Sequence, residues 1–226
     1  MTLQAANRLT VAETQLIEAY TNQIGGLPGN GDVLVARDRL FDDLKRAGLP
    51  TRRIEAWHYT DLKTLLRGVP ALDPSATASA VAPIVAGATV LSLVQGRAEL
   101  GAVPDGIRAV AYRDSLTDGS AAGLLFARDA DDTIGRLNGS FVRDGIELSV
   151  EDGAVIDAPI ELQSVHASGP VHMRFPARFG KGSRVSVVER HLSNGAGSAI
   201  VSSDADLRIG DCAYVPWIDV QTQGAE

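Results

Sequence analysis

Four histidines, one cysteine and scattered carboxylates are the residues in this sequence that could do chemistry. Glu189 and His191 stand two apart, so on a β-strand they share a face. Glu-x-His on one face, with Cys212 brought near in a stacked coil, would offer oxygen, nitrogen and sulfur to a transition metal. The more ordinary reading is an exposed or hydrogen-bonded histidine on a strand, and for Cys212 a buried small hydrophobe. His166 and His172 flank Gly169-Pro170 and could approach each other across a turn, and His58 lies between Trp57 and Tyr59. A single cysteine excludes an intramolecular disulfide framework, and also a private four-thiolate metal or cluster site within one chain. No residue is therefore assigned as catalytic, cofactor-binding or metal-binding.

The other motifs are also read without a site. Gly180-Lys181-Gly182-Ser183 lacks the glycine spacing that aims backbone amides at phosphates, and a basic turn between strands is the better reading. Gly195-Ala196-Gly197-Ser198 is not a nucleophile elbow, because Ile200 stands where the second glycine is needed. Asp129, Asp131, Asp132, Asp144, Asp152 and Asp157 sit largely beside glycine or at turns, where aspartate bonds its own backbone. Asn138-Gly139-Ser140 matches a glycosylation sequon that has no use without a secretory signal. A net charge of −7 gives no footprint for nucleic acid or an anionic membrane. The pairs Lys45-Arg46 and Arg52-Arg53 read as solvated surface rather than phosphate sites. The opening residues lack a basic-then-apolar secretory pattern, and no apolar run reaches the ~18 residues of a membrane helix. A soluble, cytoplasmic chain is expected.

The elements that would position these residues change character along the chain. Thr10 and Glu13 have capping-box spacing, and Leu16, Ile17, Tyr20 and Ile24 follow at helical intervals until Gly25-Gly26-Leu27-Pro28-Gly29. A second helix is expected over residues 33–47, with Ala36, Leu40, Phe41 and Leu44 on one face and Gly48 and Pro50 ending it. Thr60 is the expected cap of a short helix carrying Leu62, Leu65 and Leu66. Residues 73–82, rich in alanine, serine and threonine, read as a weakly ordered linker. Strands are expected at 88–94 and 107–112, and a small helix near 121–127. Beyond Leu137, period two runs through Ile146, Leu148 and Val150; Ile160 and Leu162; Val171, Met173 and Phe175; Val185 and Val187; and Leu207 and Ile209. Turn signals fall at Asp152-Gly153, Gly169-Pro170, Gly180-Lys181-Gly182, Asn194-Gly195 and Gly210-Asp211. Such a series fits a sandwich, a barrel or a β-solenoid, and period two does not choose among them. The pattern still runs at Tyr214, Trp217, Ile218 and Val220 with no capping element after it, so Glu226 is expected to be a partial end.

Several stretches together resemble the SufB/SufD family of iron–sulfur cluster assembly proteins, and its SufD branch in particular. The most specific is Pro50-Thr51-Arg52-Arg53-Ile54-Glu55-Ala56-Trp57-His58-Tyr59-Thr60-Asp61-Leu62. Next come Leu91-Ser92-Leu93-Val94-Gln95-Gly96 with Val103-Pro104-Asp105-Gly106-Ile107. Leu137-Asn138-Gly139-Ser140-Phe141 with Asp144-Gly145 and Ala158-Pro159-Ile160-Glu161-Leu162 follow, and then Val188-Glu189-Arg190-His191. The resemblance implies a mainly β fold: a right-handed parallel β-helix, truncated here, behind an N-terminal α-helical domain. It divides the chain into a helical domain with its linker, 1–80, and a β-helix core, 81–226. It implies a non-catalytic scaffold subunit that supports cluster assembly and iron acquisition beside a SufB-like subunit and a SufC-like ATPase. A second copy of the chain is a further candidate partner. The iron–sulfur cluster, ATP and flavin belong to the complex rather than to this chain alone. The family's C-terminal helical region, which carries the ATPase contact and much of the SufB contact, and its proposed functional histidine have no counterpart in this sequence, so this stretch alone is not expected to assemble normally.

The Arg–Glu–Trp–Tyr–Asp motif at 52–61 has a physical reading of its own. Arginine can pair bidentately with Glu55 or Asp61, and the aromatics bring apolar area with polar tips, which suits a rigid joint between helical region and core. A binding site for a partner such as a sulfur donor is the sharper alternative. Against the scaffold stand a stand-alone β-rich binding module and a β-helix enzyme. The enzyme reading lacks a paired carboxylate cluster on one strand face or a strict six-residue repeat.

Overall fold

The computed structural model describes residues 9–195 and 197–222. Helix α1 (Val11–Gln23) starts on the expected capping box: Thr10 Oγ1 accepts the Glu13 amide, and Glu13 Oε2 accepts the Thr10 amide at 2.7 Å. Helix α2 (Gly31–Ala47) starts two residues ahead of expectation because Asn30 caps it, accepting from the Asp32 and Val33 amides. It stops at Gly48, whose φ of +72° a side chain would resist. Helix α3 (Leu62–Leu65) is capped by Asp61, not by Thr60. The Thr60 amide closes the preceding turn onto the Trp57 carbonyl, which leaves Asp61 as the first residue free to cap.

Then follow β1 (Thr89–Val94), β2 (Arg97–Leu100), β3 (Ile107–Ala111), α4 (Tyr112–Asp118) and α5 (Thr133–Phe141). The remainder is β4 (Asp144–Val150), β5 (Ile160–His166), β6 (Gly169–Phe179), β7 (Val187–Ser193), β8 (Ala199–Ile209) and β9 (Trp217–Thr222). β2, α4 and α5 go beyond the sequence expectation, and the helix expected at 121–127 is only a single 3₁₀ turn at Ala122–Leu124. Local propensity hides α5, since Asn138, Gly139 and Ser140 are poor helix formers. Packing imposes it. Asn138 Nδ2 donates to the Met173 and Ser202 carbonyls, and a Cβ on Gly139 would meet Leu40 Cδ1 at 2.5 Å.

The strands form two sheets. One has the order β2-β1-β5-β7-β9 and the other β3-β4-β6-β8. β1–β2 and β3–β4 are antiparallel, and every other pair is parallel. From β4 onward, successive strands alternate between the sheets. Partner residues then lie a nearly constant distance apart in sequence: Ile160 with Val187 and Val187 with Trp217, Asp144 with Met173 and Gly169 with Ala199. Lone bridges from Val155 to Arg184 to Tyr214 repeat the interval between the sheets. The chain is thus a mixed α/β structure with two mostly parallel sheets and helices at its N-terminal end.

The core between the sheets is the aliphatic ladder that period two anticipates: Leu91, Leu93, Ile146, Leu148, Ile160, Leu162, Met173 and Val187, with Phe175 and Phe179. Leu207 and Ile209 keep the period but are exposed, on the edge strand β8. Gly169-Pro170 is the start of β6 rather than a turn; the bend lies just before it, and Gly169 has the positive φ. A second cluster joins α1 and α2 to α5, with Tyr20 stacked on Phe41 at 3.9 Å and Phe141 edge-on to both. The expected linker at 73–82 is tied to the sheet. Gln163 exchanges two hydrogen bonds with the Val81 backbone, Glu161 accepts the Ile84 amide at 2.7 Å, and Asp73 accepts from Ser168 Oγ. Glu161 and Gln163 are fully buried on β5, so their polar ends need these backbone partners. Among the described residues no helix is long and apolar enough to cross a membrane.

Candidate functional site

On β7 the alternation that sends Val187 into the core sends Glu189 and His191 the same way, as their spacing requires. Glu189 is a hub. Its Oε1 accepts from His191 Nε2 at 3.1 Å and from Ser203 Oγ at 2.6 Å, and its Oε2 accepts from Trp217 Nε1 at 3.0 Å. Burial pushes this carboxyl up, but the bonds from His191, Ser203 and Trp217 and the attraction of His191 outweigh it, so its pKa falls below the ordinary value. Glu189 is therefore a buried carboxylate that fixes one ring nitrogen of His191. Behind it, Ser164 and His166 follow Leu162 on the inward face of β5, and Ser164 pairs in register with His191. The Ser164 hydroxyl and His166 Nδ1 are buried without partners. Burial, and then the charge of His191, lower the His166 pKa. Glu189, His191, Ser202, Ser203, Asp219 and Gln221 line a cleft of about 430 Å³.

Cys212 does not join this group. It is exposed, in a turn with φ of +58°, and not the buried hydrophobe expected of it. A turn position at the sheet margin has no core to bury the thiol. Among the described residues no three or more His, Cys, Asp or Glu side chains are grouped so as to hold a metal ion. His166 and His172 are not brought together, because His166 lies on the inward face of β5 while His172, between the core residues Val171 and Met173, points out of β6. His172 faces α5 instead: its Nδ1 and Ser202 Oγ lie 2.8 Å apart, and its ring packs on Phe141. Burial, then Arg143, pushes its pKa down to about 4. The turn at Gly180-Lys181-Gly182 is as expected; Ala196 of the Gly195–Ser198 motif lies outside the described residues. Asn138 of the sequon is fully buried.

Two arginines that the sequence did not mark organise the contact between helices and sheet. Arg37 is 0% exposed on α2, and its guanidinium donates to the carbonyls of Pro28, Gly139, Ser140 and Val142. Desolvation lowers its pKa to about 10. Arg174 on β6 bonds Asn138 Oδ1 and the Leu124 carbonyl and pairs with Asp204 at 3.1 Å. The only sequence signal for Arg37 was a charge one position past Ala36 on the apolar face of α2.

The 52–61 motif is built differently from the joint it suggests. Its backbone is fixed by successive tight turns: the Ile54, Trp57, His58 and Thr60 amides donate to the carbonyls of Thr51, Ile54, Glu55 and Trp57. Trp57 Nε1 donates to the Asp131 carbonyl at 3.0 Å, and the Lys63 amide donates to Pro50. Lys63 Nζ also reaches the buried Glu13 at 3.1 Å. Burial raises the Glu13 pKa, but the Thr10 and Leu49 amides and Lys63 bring it below the ordinary value. Arg52 and Arg53, by contrast, are exposed and form no ion pair among the described residues, and Glu55 is exposed too. Asp61 is occupied as a cap, so the bidentate pairing expected within the motif is absent. Tyr59 is 91% exposed, with His58 edge-on to it at 4.9 Å. The arginines border an open cleft of about 540 Å³ whose other walls include Ala47, Leu49, Ile54 and Lys63. Compared with known protein families and with curated proteins, the chain matches none.

Proposed function

We propose that this chain is a scaffold subunit of a Suf-type iron–sulfur cluster assembly complex, and that its two sheets are walls of a right-handed parallel β-helix. The observation that carries the reading is the near-constant interval between partner strands, repeated in both sheets and in the bridges between them. A parallel pair needs a crossover between its strands, and here that crossover is a strand of the other sheet. That is the economy of a solenoid, in which each coil contacts its neighbours. The family-like stretches fall at successive stations of this architecture: the 50–62 loop, β1 with its turn, α5 with the start of β4, and the middle of β7. In this reading the helical part, 1–80, precedes the β core, 81–226. The chain performs no catalysis itself. It works in the cytoplasm beside a SufB-like subunit and a SufC-like ATPase, which bring ATP use to the complex, and the cluster is cargo.

The test is anaerobic purification of the native protein through an N-terminal tag on its chromosomal copy, followed by native mass spectrometry and iron and sulfide analysis. The expected result is co-purification of the SufB-like subunit, with iron and sulfide appearing only in the assembly. A chain that copurifies with neither subunit, or that binds stoichiometric iron alone, overturns the proposal. The first outcome leaves a stand-alone binding module as the better reading.

A further inference from the structure

The geometry points to the 50–66 loop as a docking surface for a short acidic segment of a partner protein. Arg52 and Arg53 take its carboxylates, and the cleft between Ala47, Leu49 and Ile54 takes an apolar side chain. This inference rests on charge and geometry and does not depend on the Suf reading.

Charge asymmetry comes first. Residues 45–67 hold six basic and two acidic side chains, in a chain that has 21 basic and 28 acidic residues overall. Within that segment three of the six cations are already engaged: Lys45 with Asp42, Arg46 with Asp43, and Lys63 with Glu13. Of the other three, Arg67 lies outside the cleft, while Arg52 and Arg53 stand exposed on its rim and form no ion pair among the described residues; Asp61, also on the cleft wall, is committed to capping α3. An arginine fork without a carboxylate is a preformed half of a bidentate contact.

The second consideration is preorganisation. The loop backbone is held at several points and Trp57 anchors it to Asp131, whereas Arg52, Arg53 and Tyr59 are exposed. Docking there orders little backbone, so little entropy opposes it. Tyr59, in the same loop, stands almost wholly in water; Tyr and Arg are among the residue types enriched in binding hot spots.

The acidic remainder of the chain selects among anions. A long polyanion such as nucleic acid would meet net negative surface beyond the patch, whereas a segment of a few residues would not. Ala47, Leu49 and Ile54, beside Thr51, Asp61 and Lys63 on the cleft wall, favour a peptide with an apolar side chain over a free phosphate.

Fluorescence anisotropy of the full chain tests this with a fluorescein-labelled nonapeptide of glutamates around a central leucine, against its glutamine counterpart. The glutamate peptide is expected to bind saturably, more weakly as salt rises, and the glutamine peptide not to bind. Arg52→Glu with Arg53→Glu should weaken binding at least about tenfold, and Tyr59→Ala should weaken it a few-fold. Circular dichroism checks that both variants keep the wild-type fold, as exposed substitutions should. Absence of saturation up to millimolar peptide, unchanged affinity in the double variant, or displacement by equimolar inorganic phosphate would each overturn the docking surface.

Discussion

Arg37 and Arg52 lie on adjoining parts of the N-terminal region and meet opposite fates. Arg37 is sealed under α5 and spends its donors on four carbonyls that helix ends and bends leave open. Arg52 has no ion-pair partner among the described residues and faces water. The difference is one of neighbours. Pro28 and the turn from α5 into β4 present bare carbonyls that no backbone amide reaches, and a buried guanidinium is the side chain with enough donors to satisfy them together. In the 52–61 loop the backbone satisfies itself through tight turns; Trp57 and Asp61 are engaged, and Arg52, Arg53 and Tyr59 are left to the surface. The true joint between helices and sheet is therefore Arg37, Asn138 and Arg174, while the motif that looked like a joint is a displayed surface.

Arg37→Met is the substitution that presses hardest on this comparison. It fills much of the volume but leaves four buried carbonyls without their donor. With each unsatisfied buried acceptor costing about 1–3 kcal/mol, partly relieved by relaxation, we expect a loss of roughly 3 kcal/mol or more. The urea midpoint should fall with little change in slope. A midpoint within error of wild type would mean that the carbonyls find other partners and that Arg37 is no hub.

The next effect is pH-dependent and sits on the sheet side of the same joint. The His172 pKa is depressed to about 4 in the folded chain from an ordinary 6.5, because burial disfavours its charged form. Between these values the unfolded chain binds the extra proton, so stability is fully present above pH 6.5 and is lost as pH falls toward 4. The loss is on the order of 3 kcal/mol at most. His166 is shifted the same way and adds to the slope. His172→Asn should flatten the stability curve between these limits while leaving a residual slope from His166. A curve of unchanged steepness would show that the ring is hydrated.

How legible this was depends on whether a feature is local. The Thr10–Glu13 box, the end of α2 at Gly48 and the strand alternation through Val150, Leu162, Met173 and Val187 were readable, because each follows from neighbours in sequence. The Glu189–His191 pair was readable as a shared face, but its third and fourth members, Ser203 and Trp217, come from later strands. α5 was not readable, because long-range contacts with Leu40, Met173 and Ser202 hold a segment of weak propensity. Only its place on the apolar face of α2 sets Arg37 apart from Arg52 in sequence, and only the third dimension shows the carbonyls around it. The same limit explains Cys212, whose burial was inferred from residue type and whose exposure follows from its turn.

Trp57→Phe measures how firmly the displayed loop is held. It removes the one hydrogen bond from the Trp57 indole to Asp131 and little packing, since the ring is only half-buried. A net hydrogen bond is worth about 1 kcal/mol, and that is the loss expected from thermal or urea unfolding. A loss as large as that of Arg37→Met would make the loop part of the joint after all.

Arg52→Ala with Arg53→Ala should do least. Neither side chain has a partner whose desolvation would be left uncompensated, and neither covers the core. Surface changes of this kind stay within roughly 0.5 kcal/mol, so the urea midpoint should coincide with wild type. Removing two positive charges from an already acidic chain adds a little net repulsion, which salt should screen. A null result on stability is informative only beside a positive one on binding: arginines that cost nothing to the fold yet govern association are kept for what they touch outside the chain. A destabilisation of several kcal/mol would reverse the comparison, making Arg52 and Arg53 structural and Arg37 one support among several.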